Sequence, residues 1–504
     1  MPKDYLNKIL NARVYDVASE SPLETATSLS ARLDNNVLIK REDLQAVFSF
    51  KLRGAYNKML HLTEEEKARG VVAASAGNHA QGVALAAKKL GIPVTIVMPE
   101  TTPDIKVKAV GNWSPRIVLH GDDYQEAYER SLEIAEAEGL TYVHPFDDPD
   151  VIAGQGTVGM EILRQCTDDI DAIFVPVGGG GLIAGIAAYV KAVRPEIKVI
   201  GVEPEDAASM TRSLESKQLV ALEQVGIFAD GVAVAQVGAE PFRLVRELVD
   251  DMVLASVDEI CAAVKDVFDD TRVIAEPAGA LAIAGLKKYV AQHDITGKTL
   301  VAINSGANVN FDRLRHISER AEIGENRETL FAVTIPERPG SFRTFCNILG
   351  KRSVTEFNYR YSDDTDAQIF VGIKLNGGQE EKAALLKRFQ DGGYPVNDIS
   401  DNDTAKLHIR YMIGGRPQNL TDEVVYRFQF PERPGALLNF LNQIGERWNI
   451  SLFHYRNHGS AFGRVLCGMQ VPEDDTDQFR DFLENLGYSH WPETDNPVYK
   501  TFLS

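Results

Sequence analysis

The sequence predicts an α/β body followed by a duplicated α+β tail, and two observations carry that prediction. Short apolar runs alternate with helical patterns from about Val37 to Asn304, and a repeat with an offset of 95 to 96 residues begins near Glu328. Buried parallel strands read as continuous apolar runs, and alternation with helices supplies the crossovers that a parallel sheet needs. "VVAAS" (71–75) precedes the helical "NHAQGVALAAKKLG", and "VTIVMP" (94–99) follows it. "AIFVPVG" (172–178), "VIGVEP" (199–204) and "LVAINSG" (300–306) each end in Gly or Pro. Ligands in open α/β sheets bind beyond the carboxyl ends of the strands, so those endings are where chemistry is expected.

The tail is read from its echo. "ETLFAVTIPERPGSFRTFCNILG" returns as "EVVYRFQFPERPGALLNFLNQIG", with Pro336 and Pro431 95 residues apart. "FNYRY" (357–361) and "FHYRN" (453–457), and the glycines Gly372 and Gly468, keep an offset of 96. Each copy reads as strand, Pro-Gly turn, helix, strand, strand, the pattern of a small α+β module. Attached to a body that needs no further core, such a pair is expected to sense a ligand.

Composition limits the function classes. At 504 residues the chain exceeds one core, and a prior of about 150 residues per domain suggests roughly three. A net charge of -19 argues against nucleic acid or an anionic membrane surface as the main partner. Cys166, Cys261, Cys346 and Cys467 are scattered without a C-x-x-C pair, so neither zinc nor a redox motif is expected. "MPKDYLNKIL" lacks a signal-peptide apolar core and no stretch has the length of a membrane span, so a cytoplasmic location is expected.

Lys51 stands out in "SFKLRGAYNKM" (49–59), at the first turn of a helix with Leu52, Ala55, Tyr56 and Met59 on its apolar positions. Late in a helix a lysine meets the negative end of the dipole; early and among apolar neighbours its charged form is disfavoured. Such an amine suits covalent attachment to a carbonyl, although on this stretch alone a snorkelling surface lysine is the favoured reading. "VGGGGLIAG" (177–185) places Gly178, Gly179, Gly180 and Gly181 between a strand and a helix, leaving backbone N–H groups free for an anion. It lacks both the dinucleotide fingerprint and the Gly-Lys-Ser/Thr of a P-loop, and so fits a small phosphorylated cofactor. "SAGNHAQG" (75–82) offers Ser75, Asn78 and His79 at another strand end, suited to a carboxylate and a ring hydroxyl, with a structural histidine the alternative for His79. "NSGAN" (304–308) closes the last strand with a hydroxyl, Ser305.

Together with "AEPAGA" (275–280), these motifs resemble the fold-type II pyridoxal-phosphate enzymes of the serine/threonine dehydratase family, in the family's order and over essentially the whole chain. The resemblance implies two open α/β subdomains, tryptophan-synthase-β-like, followed by two ACT-like (ferredoxin-like) modules. The expected divisions are 1–320 for the catalytic domain, with a smaller subdomain at roughly 45–145, a linker at 321–328, and regulatory modules at 329–402 and 423–495. Lys51 would hold pyridoxal 5'-phosphate covalently and later act as base, with Phe50 beside the ring. Asn78 would bond the ring oxygen, Gly178 to Gly181 and Leu182 the phosphate, and Ser305 the pyridine nitrogen. Ser75, Ala76 and His79 would lie by the substrate carboxylate, with Glu276 near cofactor and substrate. No metal is implied.

The implied reaction is β-elimination from L-threonine, with L-serine secondary, to 2-oxobutanoate and ammonia, the first step of isoleucine biosynthesis. Isoleucine would inhibit and valine antagonise through the tail, and a homotetramer is expected. Tyr359 and Tyr455, with Arg360 and Arg456, stand in register across the repeat and suit an amino-acid carboxylate. Adjacent strand residues point to opposite faces, so one pocket would use either the tyrosine or the arginine; the tyrosines are preferred, with packing in the core as their alternative role. "VGNWSPRIVLHG" (110–121) departs from the family in carrying Trp113 and Pro115, which bears on local loop geometry. Serine racemisation, serine dehydration, a β-replacement and a non-catalytic amino-acid sensor are the competing readings. A nucleotide-binding oxidoreductase lacks its fingerprint.

Overall fold

The computed structural model describes residues 2–121, 123–226, 228–311, 313–350, 352–360, 365–402, 405–406, 420–431, 436–444, 447–456, 462–496 and 499. They form two compact units, Met1–Gly324 and Glu325–Ser504.

The first unit holds two sheets. The larger contains β1 (Leu23–Thr25), β2 (Asn36–Arg41), β7 (Ala172–Pro176), β8 (Lys198–Pro204), β9 (Asp251–Ala255) and β10 (Thr299–Asn304), in the order β1-β2-β10-β7-β8-β9. Only β1 runs antiparallel. The smaller, all parallel, contains β3 (Val71–Ala74), β4 (Val94–Met98), β5 (Arg116–Leu119) and β6 (Thr141–Tyr142), ordered β5-β4-β3-β6 and lying in the chain between β2 and β7. The continuous apolar runs have a direct cause. On β10, Leu300 and Ala302 enter one core while Val301 and Ile303 enter another on the opposite face. On β3, Val71 and Ala73 likewise part from Val72. A strand covered on both faces has no polar side to show.

The helix Lys51–Leu60 is pressed between two others, Asn78–Leu90 and Pro149–Gln165. Glycines make the approach possible. A Cβ at Gly154 would lie 2.7 Å from both the Arg53 carbonyl oxygen and the Gly54 Cα, and one at Gly82 would lie 3.0 Å from the Leu52 nitrogen. Trp113 in the unusual link packs into the small-sheet core, and Ser114 after it takes φ +65.

Among the described residues the second unit contains one eight-stranded sheet and the helices Ser341–Leu349, Gly378–Asp391, Ala436–Ile444 and Thr476–Leu486. The sheet comprises β11 (Glu328–Pro336), β12 (Val354–Arg360), β13 (Asp366–Lys374), β14 (Val396–Asp398), β15 (Glu423–Pro431), β16 (Asn449–Arg456), β17 (Phe462–Gln470) and β18 (Ser489–Pro492). The order β14-β11-β13-β12-β16-β17-β15-β18 reads as one repeat meeting its copy at β12 and β16. Those strands run antiparallel with Phe357 opposite Tyr455, Tyr359 opposite Phe453 and Asn358 opposite His454. A pseudo-two-fold therefore passes through the last pair. Both copies break register at one place, Val354/Glu356 and Ile450/Leu452. The hydroxyl in each break, of Thr355 or Ser451, donates to a glutamate opening the repeat, Glu328 or Glu423. Gly372 and Gly468 face those bulges, where a Cβ would strike Thr355 Oγ1 in one copy and lie 2.9 Å from Ser451 Oγ in the other, so the repeated strand glycines are steric.

Candidate active site

The strand endings converge as expected for parallel sheets. Ser75 to Asn78 follow β3, the glycine run follows β7, and Ser305 follows β10. Backbone bonds stitch the lysine-bearing turn to the last of these. The Phe50 N–H donates to the Ser305 carbonyl at 3.4 Å and the Ala307 N–H to the Phe48 carbonyl at 2.9 Å, while Ser49 bridges Gly306. Phe48 is held at φ +55, a backbone region that large residues rarely occupy. The consequence is that Lys51 and Ser305, 254 positions apart, share one floor.

Lys51 opens its helix, as read from the sequence. Among the described residues its Nζ donates a hydrogen bond only to the Pro145 carbonyl, at 3.4 Å, and it lies 5.3 Å from the Phe50 ring centroid. Burial lowers its pKa to about 8, with Glu276 pulling weakly the other way. Glu276 is 4% exposed, and burial, helped by Asp230, raises its carboxyl to about 7 against the pull of Asn78, Lys106 and Lys51. Asn78 Nδ2 donates to Glu276 Oε1 at 2.6 Å.

The glycine loop is closed in on its outer side. A side chain at Gly179 would run into the Phe146 ring, one at Gly178 would lie 2.9 Å from the Val232 Cα, and one at Gly180, φ +91, would lie 2.7 Å from Met210 Cε. Gly181 and the buried Leu182 open the apolar helix Gly181–Val193, which has no side-chain cap. Its first N–H groups thus form a positive end beyond β7. Ser305 Oγ donates to the Ala278 carbonyl at 3.2 Å, so a neutral hydroxyl stands where a carboxylate would carry charge.

The other sequence candidates are also located. Ser75 and Ala76 are half-buried, and Ser75 Oγ accepts from the Gly77 N–H at 3.1 Å, shaping the turn. His79 is buried with Nε2 2.8 Å from the Val143 carbonyl, and burial drops its pKa to about 3, so it is a neutral Nε2–H tautomer. In the tail, Tyr359 is 2% exposed, packs edge-on against Phe342 at 4.7 Å and donates its hydroxyl to Glu337. Tyr455 is buried in the same core, and the side chains of Arg360 and Arg456 lie outside the described residues. A small cavity between the repeats is lined by Arg338, Phe342, Arg343, Leu441, Trp448 and Asn449. Asn449 reaches Glu337 at 3.0 Å, linking Tyr359 to that cavity.

Sequence reasoning missed three features. Asn308 donates to Asn78 Oδ1 at 2.6 Å; it was present in "NSGAN" but overshadowed by Ser305. Lys106 pairs with Asp230, joining the helix Asp104–Gly111 after β4 to the turn Asp230–Val232 of the larger lobe. Beneath the lysine, Arg53, Lys40, Glu42 and Glu161, all with 0% exposure, form a charge-balanced quartet.

The geometry fits a phosphorylated aldehyde cofactor: a buried amine, a hydroxyl, an amide and the uncapped start of the helix Gly181–Val193 stand at the carboxyl ends of neighbouring strands. Residues 14–306 match the family described as pyridoxal-phosphate dependent enzyme, and residues 319–409 and 414–503 match the C-terminal regulatory domain of threonine dehydratase. The chain is 56% identical to the biosynthetic L-threonine dehydratase IlvA of Burkholderia multivorans, over 99% of both chains. It belongs to the biosynthetic threonine dehydratase family. The Escherichia coli member is 54% identical over 99% of this chain and 97% of its own. Among solved structures, the processed form of threonine deaminase isoform 2 from Solanum lycopersicum shares 55% identity at a TM-score of 0.63, over 64% of this chain and 93% of that one. Maize serine racemase shares 33% at 0.58, over 62% and 95%. The chain is a pyridoxal-phosphate enzyme with two C-terminal regulatory domains. No helix among the described residues is long and apolar enough to cross a membrane.

Proposed function

We propose that this chain converts L-threonine to 2-oxobutanoate and ammonia, with L-serine a poorer substrate, as the first step of isoleucine biosynthesis in the cytoplasm, and that it works as a homotetramer. The observation that carries the reading is the buried Lys51 amine, its charge disfavoured by burial, in a chain whose sequence relatedness to the dehydratases runs on through both regulatory repeats. The solved threonine deaminase and serine racemase structures cover similar shares of the chain, 64% and 62%, but identity is higher with the former, 55% against 33%, and the sequence likeness to the dehydratases includes the tail.

The residues suited to hold the cofactor are Lys51 and Phe50, Asn78, Gly178 to Leu182, and Ser305. When bound, pyridoxal phosphate supplies an electron sink that acidifies the Cα–H of an amino acid. Lys51 takes that proton as a neutral amine, a state that its pKa of about 8 makes accessible near neutrality. Ser305, a neutral hydroxyl, would bring no negative charge to a ring nitrogen beside it and would favour that nitrogen unprotonated. Prompt loss of the β-hydroxyl is thereby preferred over return of the proton. Ser75, Ala76 and the N–H groups at the start of helix Asn78–Leu90 receive the substrate carboxylate, and neutral His79 supports that turn. Glu276 holds or releases a proton beside Asn78. The balance is one water lost from Cα and Cβ and one regained when the product imine hydrolyses.

In the tail, isoleucine would inhibit and valine antagonise. Arg338 and Arg343 offer forks for a carboxylate, Phe342 and Leu441 an apolar wall, and Tyr359 orders the cavity through Glu337 and Asn449. One experiment tests the whole reading: the visible spectrum of the purified protein before and after threonine, with 2-oxobutanoate assayed and isoleucine then added. A lysine-bound cofactor band, the oxo acid and its suppression by isoleucine are expected. A band without oxo acid redirects the chemistry to racemisation or β-replacement, and no band in cofactor-replete protein overturns the enzyme reading.

A further inference from the structure

We propose that Asn308 is a positioning residue that fixes which end of the Asn78 carboxamide faces the cofactor. The inference rests on the reading that Asn78 donates to the cofactor's ring oxygen. Asn308 Nδ2 makes two bonds, one to the Val47 carbonyl at 2.8 Å and one to Asn78 Oδ1 at 2.6 Å. Asn78 Nδ2 in turn donates to Glu276 Oε1 at 2.6 Å. The polarity of this chain is set at its far end. A backbone carbonyl can only accept, so the Asn308 amino group must face Val47, and the same amino group then requires an acceptor from Asn78. Turning Asn78 over would bring two amino groups face to face and point an oxygen at Glu276.

Glu276 alone does not enforce this sense. Its carboxyl titrates near neutrality, and once protonated it could donate to an amide oxygen as readily as it now accepts. Asn308, tied to a group that never changes protonation, holds the sense in both states. One N–H of Asn78 is thus occupied by Glu276, and the second is left for the ring oxygen. Asn308 follows β10 by four residues, so the strand end that supplies Ser305 also orients the donor on the opposite lobe.

The full chain loaded with pyridoxal phosphate is compared as wild type, Asn308→Ala, Asn308→Asp and Asn78→Ala. Three properties are read: the cofactor dissociation constant, the pH titration of its visible band, and melting of the cofactor-free protein. Aspartate at 308 can only accept, so it draws the Asn78 amino group toward itself, whereas alanine merely releases it. The expected result is cofactor affinity weakened about tenfold or more by Asn308→Asp and about threefold by Asn308→Ala, with a displaced band titration, as befits loss of one bond to a charged oxygen. Cofactor-free melting should be alike in the two variants. If Asn308→Asp does not fold, Asn308→Leu, which removes both donors at similar volume, takes its place with the effect expected of alanine. Wild-type affinity and titration in the 308 variants, with Asn78→Ala weakened, would overturn the positioning role alone. Effects that simply track lost melting temperature would overturn it too. A wild-type Asn78→Ala would instead overturn the assignment of Asn78 on which it rests.

Discussion

Lys51 and Arg53 stand two residues apart on one helix, and their surroundings treat their charge in opposite ways. Arg53 is wholly buried, yet its guanidinium forks onto Glu42 at 2.8 Å through both Nε and Nη2 and meets Glu161 at 2.6 Å. Those carboxylates more than offset its burial and hold it firmly charged. Lys51 has the more distant Glu276 and one carbonyl, so burial wins and its pKa falls. The difference teaches that burial alone does not neutralise a base; what decides is whether anions are buried with it. The quartet anchors the helix, and the amine beside it is left chemically available.

The strongest way to break the comparison is at the amine itself. Lys51→Ala should lower turnover by at least ~10³-fold and remove the lysine-bound cofactor band, since a positioned base contributes on the order of 10²–10⁴; a surviving band and oxo-acid production would sink the assignment. Next comes the anchor. Glu161→Gln strips one carboxylate from Arg53 and Lys40 and should destabilise the first unit by about 3–5 kcal/mol, read from urea unfolding, because cations stay buried without their anion. The shared helix is the third target. Gly154→Ala forces a methyl against backbone at 2.7 Å, so a loss of about 1–3 kcal/mol is expected together with a raised KM, as Lys51 shifts with its helix.

The subtlest effect is on pH. The folded-state pKa of Lys51 lies near 8 against an ordinary value of 10.5, so between these the unfolded chain binds more protons and cofactor-free stability gains from Lys51 as pH rises. Comparing wild type with Lys51→Met over that window isolates the contribution. A difference that does not change with pH would show that the amine is not desolvated.

How much of this was readable in the sequence depends on burial geometry. β3, β4, β7, β8 and β10 were legible because both faces of each are covered, which leaves uninterrupted apolar letters. β5 at the edge of its sheet, with Arg116 exposed, and β6, of two residues, give no such signal. Lys51, the glycines and Ser305 were legible because each stands at a strand end or helix start, where backbone geometry restricts the residue type. Lys40, Glu42 and Glu161 were not, since a charged letter in a strand or helix ordinarily marks the solvent side, and only three-dimensional proximity reveals that these cancel. Gly54 and Gly154 read as weak helix positions until the close helix crossing explains them. In the tail the one-residue slip between copies falls between the helix ends, Leu349 and Ile444, which are 95 apart, and the register breaks, Val354/Glu356 and Ile450/Leu452, which are 96 apart, so the duplicated core stays in step.

The pseudo-two-fold through Asn358 and His454 has a consequence for inheritance. In a dimer of identical modules the residue on the axis must be compatible with itself, and any substitution there is made twice. Here the two positions are spelled by separate codons, and they have taken different side chains. One sheet can thus be altered on one side only, without the same change being written into the other copy.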